Sequence, residues 1–356
     1  MIFDLTRFLL DLLAFYAIYS LLTLSLNIEY GYAGIPNFGK AMFFAGGAFA
    51  VGAFTTRLTA VILGLSLERF KYRNILIAYQ ASQIFAQNPF LALSMLFFSI
   101  IVGIIFSSIL GYLASYPAIK LREDYLGLTL LSAGELLRVI ARNYDPLVGG
   151  SLGVAVPDFF APLSGFTKDL TVTGFFLATA LLTFIIVDRI VNSPYGRLLK
   201  AMRENELAVE SYGRNIAKIR MTTLVLGSAV AGLAGVLYAS YTRYVYADVF
   251  TPFETFVIWA MVIIGGKGNN AGAFIGTLVY VLIERLIMVL KHEVKIPFDV
   301  NYLGYVVLSI VLILLLFYRP KGLLPEKPVQ TPNIKRIREL KKERNDKTRD
   351  GLGFQQ

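Results

Sequence analysis

Long apolar runs alternate with short polar intervals along most of the chain, and the runs are apolar all round. A helix on the surface of a water-soluble domain keeps a polar face, and that face is missing here. A hydrocarbon core about 30 Å thick takes roughly 20 helical residues to cross. The runs of suitable character are Phe8–Leu26, Phe38–Phe54, Leu91–Leu113, Tyr125–Ile140, Val172–Val191, Met221–Tyr241, Phe256–Ile264, Gly272–Leu290 and Tyr302–Phe317. They predict an all-α, polytopic transmembrane bundle of about nine spans, eight to ten in range. The second, fourth and seventh are short and Gly-rich or polar-flanked, which suits re-entrant or protein-buried segments.

Polar intervals set the expected orientation. Alternating spans place 27–40, 115–124, 188–220, 265–271 and everything after Tyr318 on one side, with 22 of the 34 Lys and Arg residues. The other side holds nine. Cytoplasmic loops carry the positive excess, so the expected topology has the N-terminus outside and the C-terminus inside. The interval 57–90 runs against this rule, with Arg57, Arg69, Lys71 and Arg73 outside. Part of it reads as an interfacial helix with an apolar stripe of Ile75, Leu76, Tyr79, Ile84 and Phe85. Residues 1–324 are expected to form the membrane domain, and 325–356 a basic, disordered cytoplasmic tail. The N-terminal segment reads as a first span, because Asp11 interrupts its apolar region and no small-residue cleavage site follows.

Composition removes most chemistry. The chain is 56% hydrophobic and 16% charged, with no Cys and one His, His292. Disulfides, thiol catalysis and Cys-ligated metals are excluded, and a single imidazole in a polar interruption supports neither a metal site nor a triad. No catalytic residue, cofactor or metal is expected. The net charge of +10 is assigned to membrane topology instead of nucleic acid. Gly34-Ile-Pro-Asn-Phe-Gly39-Lys40 approaches a phosphate-binding loop, but Ala41 stands where Ser or Thr would hold magnesium, and no strand precedes it.

Three features remain. Glycines 31, 34, 39, 46, 47 and 52, with Pro36 and Asn37, suit either a broken helix lining a translocation path or close helix packing. The stretch Ile263–Gly276 has a similar texture. Glu135 and Arg138 stand i,i+3, fitting a salt bridge or a place in the path, whereas Glu284 and Arg285 are adjacent and need other partners. The segment 193–219, SPYGRLLKAMRENELAVESYGRNIAKI, predicts one amphipathic helix closed by Gly213. Such a helix can dock into the groove of a soluble motor or lie on lipid.

Several segments in order resemble the M-type (LivM) permease subunits of ABC importers for branched-chain amino acids, from about Asn27 to Leu324. The stretch 27–46 is similar to that family's Asn-x-x-x-Gly-x-x-Gly motif, with Asn37-Phe38-Gly39 where Ser-Leu-Gly is usual. The stretches 124–150 (DYLGLTLLSAGELLRVIARNYDPLVGG), 260–272 (AMVIIGGKGNNAG) and 318–324 (YRPKGLL) resemble three further motifs, and 193–213 resembles the cytoplasmic coupling loop. Many family members carry one more span before the first found here. The resemblance implies that Gly196, Ala201, Arg203, Glu204, Ala208 and Gly213 belong to the loop contacting an ATP-binding cassette subunit. It also implies a path shared with a second, H-type permease, substrate delivered by an extracytoplasmic solute-binding protein, ATP hydrolysis on the partner, and a place in the plasma membrane. From polarity at depth, Asn37, Gly39, Glu135 and Arg138 are the expected path residues. Urea or short amides remain an alternative cargo. A secondary transporter titrating Asp11 and Glu135 is the alternative in a second class, and a membrane-embedded enzyme is a third reading.

Overall fold

The computed structural model describes residues 5–65, 67, 70–121, 123–293 and 300–326. The basic tail beyond Glu326 and the side chain of His292 lie outside the described residues. Helix α1 (Leu5–Leu26) runs into a π-helical turn, Asn27–Tyr32, and an extended segment leads to α2 (Lys40–Ala50). A second π-helical turn, Val51–Thr55, joins α2 to α3 (Thr56–Ile62). There follow α4 (Phe70–Gln87), α5 (Pro89–Lys120), α6 (Glu123–Asn143), the short α7 (Asp145–Val148) and β1 (Val154–Ala155). Next come α8 (Gly165–Asn192), α9 (Pro194–Glu204), α10 (Glu206–Ser211), α11 (Ile216–Thr242) and β2 (Tyr244–Val245). Helices α12 (Pro252–Gly265), α13 (Asn270–Glu293) and α14 (Val300–Tyr318) close the described chain. The protein is an all-α helical membrane protein; among the described residues one small sheet pairs β1 with β2 antiparallel, Val154 opposite Val245.

Six described helical stretches are long and apolar enough to cross a membrane: Leu5–Tyr32, Lys40–Ile62, Pro89–Lys120, Gly165–Asn192, Ile216–Thr242 and Asn270–Val289. They contain the expected first, third, fifth and sixth runs and overlap nearly all of the second and eighth. The seventh falls in the shorter apolar helix Pro252–Gly265, and the ninth overlaps α14. The fourth lies in α6, where Glu135, Arg138 and Arg142 interrupt the apolar surface.

Helix α5 shows why lipid suits this fold. Beyond Met95 and Leu96 its buried face is Ser99, Gly103, Ser107, Gly111, Ala114, Ser115 and Ala118, while Phe97, Ile101, Ile105 and Ile109 point outward. Small residues inside and large apolar ones outside invert the soluble pattern and let backbones approach. Around this seam α5, α2 and α11 interlock. A Cβ on Gly232 would meet the Ser107 side chain and come within 2.9 Å of the Gly103 carbonyl oxygen, and one on Gly47 would strike the Gly232 backbone. The Ser107 hydroxyl caps the Phe43 carbonyl at 2.9 Å. Overpacking such a seam costs about 1–3 kcal/mol. Gly232→Val is therefore expected to lower the thermal midpoint of the purified protein by several degrees. Gly174→Ala, where nothing lies within 4 Å of the added carbon, should leave the midpoint unchanged.

The interval 27–40, counted among the polar intervals in the sequence, is buried within the bundle. Asn27, Glu29, Gly31, Asn37, Gly39 and Lys40 are all buried, because α6, α11 and α12 close over a segment whose glycines permit near contact. Lys40 is therefore not a topological charge, and the count on the side expected to be cytoplasmic falls from 22 to 21. On α4, Phe85 is buried and Ile84 half-buried, whereas Ile75, Leu76 and Tyr79 are exposed. The face that packs is Asn74, Ile77, Ala78, Ala81 and Phe85, fixed by Asn74 accepting the Ala155 N–H at 3.0 Å.

Candidate functional site

The segment 193–219 folds as two helices, not one. Asn205 leaves helical geometry with φ −159° and ψ 102°, and its side chain accepts the Ala208 N–H at 3.0 Å, capping α10. Asn favours such caps because its short amide competes with the helical backbone. Ser193 caps α9 in the same way through the Tyr195 N–H at 3.1 Å, and Asn215 caps α11. Gly213 follows α10 at φ 75°, and Ile216–Ile219 already belong to α11.

The two short helices face different neighbours. Helix α9 turns inward: Leu199 and Met202 are buried, and a Cβ on Gly196 would strike the Val191 backbone. The Tyr195 hydroxyl pairs with Thr223 at 2.9 Å, and burial pushes its phenol above the ordinary range. Helix α10 faces outward. Leu207 is 77% exposed and Tyr212, just after it, 87%. Arg220 holds this helix to the bundle by donating to Glu206 at 2.5 Å and to the Ala118 carbonyl of α5 at 2.7 Å.

The inward side of α9 meets the π-helical turn 27–32. The Arg203 guanidinium donates to the Gly31 carbonyl. The Arg203 stem lies against Gly34, whose φ is 76° and whose added Cβ would fall 2.9 Å from the Arg203 Cγ. Lys200 sits 5.3 Å from the Tyr32 ring centroid. Only glycine gives both the left-handed turn and the space for that stem.

Beneath this contact lies a buried charge pair. Lys40 Nζ reaches Glu29 Oε2 at 2.7 Å, and both side chains are 0% exposed. Asn37 donates to the same oxygen at 2.8 Å and accepts the Gly39 N–H at 2.9 Å. The Asn37 carbonyl accepts the Trp259 indole N–H at 3.0 Å, and Phe38 stacks on that indole at 4.5 Å. A buried ion pair is tolerated only when further hydrogen bonds satisfy it, and Asn37 supplies one; the other Glu29 oxygen has no hydrogen-bond partner.

The second Gly-rich segment closes the other side of the same turn. Asn27 accepts the Gly268 N–H at 2.9 Å and donates to Asn270 at 3.0 Å, and Asn270 reaches Asp188 at 3.3 Å. Lys267 lies over Tyr30 at 5.6 Å. Residues 323–325 pack onto the α12–α13 turn through Leu323 N–H to Ile264 O and Leu324 N–H to Gly265 O, each 2.9 Å. Four of the five sequence motifs thus converge on one end of the bundle.

The expected path residues do not share a wall. Asn37 and Gly39 are packed shut, Gly39 against the Leu130 carbonyl. Arg138 pairs with Glu135 at 2.5 Å and with Asp248 at 2.5 Å, tying α6 to the turn after β2. Of the residues expected in a coupling loop, Arg203 and Gly196 face the bundle, while Ala201, Glu204, Ala208 and Gly213 are exposed. Asp11 is held by Arg285 at 3.0 Å and by the Tyr241 hydroxyl at 2.6 Å, so Arg285 finds its partner on α1. The Oε2 atom of Glu284 is buried without a hydrogen-bond partner. Glu29, Arg220 and Tyr212 were not singled out by sequence. The only available signal was the acid–base pair Glu29 and Lys40 flanking a Gly-Pro-Gly break.

The sequence model of the family described as "Branched-chain amino acid transport system / permease component" matches residues 8–316. The chain is 38% identical over 330 residues to the probable branched-chain amino acid transport permease protein LivM of Methanocaldococcus jannaschii, covering 91% of this chain and 95% of the relative. It is 26% identical to the high-affinity branched-chain amino acid transport system permease protein LivM of Escherichia coli, over 91% of this chain and 71% of that protein. It is also 26% identical to the probable LivH permease of Methanocaldococcus jannaschii, over 85% and 87%. No solved structure matches the chain.

Proposed function

The chain belongs to the family of permease components of branched-chain amino acid transport systems, and on that premise we propose how it moves its cargo and what it assembles with. It is a membrane permease subunit of an ABC importer. It pairs with a second, H-type permease to form the path for branched-chain amino acids across the plasma membrane. A solute-binding protein delivers the substrate from outside, and ATP-binding cassette subunits dock from the cytoplasm. The polypeptide crosses the membrane about nine times, N-terminus outside and C-terminus inside, with residues 1–324 as the membrane domain and the basic tail in the cytoplasm.

Coupling runs through the segment 193–219. The exposed Leu207 and Tyr212 are the apolar knobs offered to the ATPase groove, with Glu204, Ala201 and Ala208 beside them on the exposed surface. When the ATPase subunits close, α9 and α10 shift. Arg203 carries that shift to the Gly31–Gly34 break, and Arg220 carries it to α5 and α11. The single observation behind this reading is the Arg203 guanidinium on the Gly31 carbonyl. It joins this polar interval to the broken end of the first helix. Asn37 and Gly39 sit in the element that moves. Glu135 and Arg138, tied to Asp248, belong to the opposite end of the path.

The test is uptake of labelled leucine into proteoliposomes holding the complete assembly. Uptake is expected to require ATP on the ATPase side together with the ATP-binding subunit. Leucine uptake that persists without that subunit and follows a proton gradient would overturn the reading.

A further inference from the structure

A cavity of about 240 Å³ lies among α1, α8 and α11, lined by residues of all three and by Asp158 and Phe160 from the connection before α8. It sits at the ends of α8 and α11 remote from α9. Twenty-eight residues of α8 separate those ends by roughly 40 Å at about 1.5 Å per residue.

Its lining holds both signs of charge beside apolar surface. Asp158 is buried and shared by Lys168, by Arg243 at 3.0 Å and by the Phe160 N–H at 3.0 Å, so two cations stand on one carboxylate. Lys168 and Arg243 both line the cavity, and the Arg243 side chain is 55% exposed. Asp11 and Asp169 supply carboxylates, and Leu10, Phe160 and Val172 supply apolar surface. Arg243 is also the one non-glycine residue with positive φ among the described residues, at 55°. It occupies the C-terminal position of α11 where glycine is the least strained choice. Holding a large cation in that conformation is a local cost, and such costs gather at ligand clamps.

We propose that this cavity is a binding subsite for a zwitterionic amino acid with an apolar side chain, on the face opposite the coupling loop. The ligand carboxylate meets Arg243 and Lys168, its ammonium meets Asp169 and Asp11, and its side chain lies on Leu10, Phe160 and Val172. Ligand pockets commonly combine apolar walls with a few charged groups in this way. The choice of amino acid as ligand rests on the importer reading; the pocket itself does not.

The experiment is saturation-transfer NMR on the purified assembly in nanodiscs, without ATP or solute-binding protein, titrated separately with L-leucine, isovalerate and isopentylamine. L-Leucine is expected to give a saturable response, with the two singly charged analogues at least tenfold weaker. Arg243→Gly, which suits the positive φ and so preserves the fold, is expected to bring L-leucine down to the level of isopentylamine. Asp169→Asn, at an exposed position, is expected to bring L-leucine down towards isovalerate. Equal responses to all three ligands, or L-leucine curves unchanged in both variants, would overturn the subsite. Leucine uptake by the same purified assembly in proteoliposomes, with ATP and the solute-binding protein, separates the two readings. Uptake with unchanged binding curves in the variants leaves the importer standing and removes the subsite, whereas a wild-type assembly that imports no amino acid removes the importer reading.

Discussion

Arg203→Ala is expected to cut ATP-driven uptake about ten- to a hundredfold while the assembly continues to hydrolyse ATP. Hydrogen bonds to charged groups are worth about 1.5–3 kcal/mol, and about 1.4 kcal/mol corresponds to tenfold in a rate. Two losses combine. The guanidinium leaves the Gly31 carbonyl, and the stem leaves the space beside Gly34. The fold should survive, because α9 keeps Leu199, Met202 and the Tyr195–Thr223 bond. Arg203→Lys keeps the charge and part of the stem but loses the planar fork, so an intermediate uptake is expected. Paired assays of phosphate release and leucine uptake on one preparation read the result. Equal losses in both would indicate failed assembly instead of uncoupling.

Lys40→Ala is expected to be the most damaging single change to folding. It leaves the Glu29 carboxylate fully buried with Asn37 as its only described hydrogen-bond partner. Removing one member of a buried pair typically costs about 3–5 kcal/mol, whereas replacing both members with neutral groups of similar shape is often tolerated. The double change Glu29→Gln with Lys40→Met should therefore recover most of the folded yield that Lys40→Ala loses. Fluorescence-detected gel filtration of membrane extracts, with thermal midpoints, measures both. A double variant as poor as the single one would mean that the charges act beyond neutralising each other.

The bundle was legible because apolar runs of span length carry a strong signal, and six of the described long helices fall on them. The internal arrangement of α5 was not, since hydropathy does not separate Phe97 and Ile101, which point outward, from Gly103 and Ser107, which pack. The interval 27–40 read as either a broken helix or close packing, because Gly, Pro and Asn interrupt a helix. Its burial is set by Trp259, Leu130 and Gly268, all distant in sequence. Helical periodicity in 193–219 continued across Asn205, so the cap that splits it was masked by the apolar pattern on either side. Family motifs located the right segments, but not their contacts. Arg203 was singled out as a partner-facing residue, while its side chain turns to Gly31 and leaves Leu207 and Tyr212 exposed.

The account rests on α9 and the broken end of α1 moving as one piece. The chain has no Cys, so two introduced thiols report cleanly. In an Arg203→Ala background, Lys200→Cys with Tyr32→Cys replaces the lost tie once a short bis-thiol reagent joins the two positions. The account predicts that cross-linking restores ATP-driven leucine uptake in proteoliposomes, to near the level of the protein with Arg203 intact. Uptake that stays at the Arg203→Ala level after complete cross-linking, with ATP hydrolysis unchanged, would contradict it.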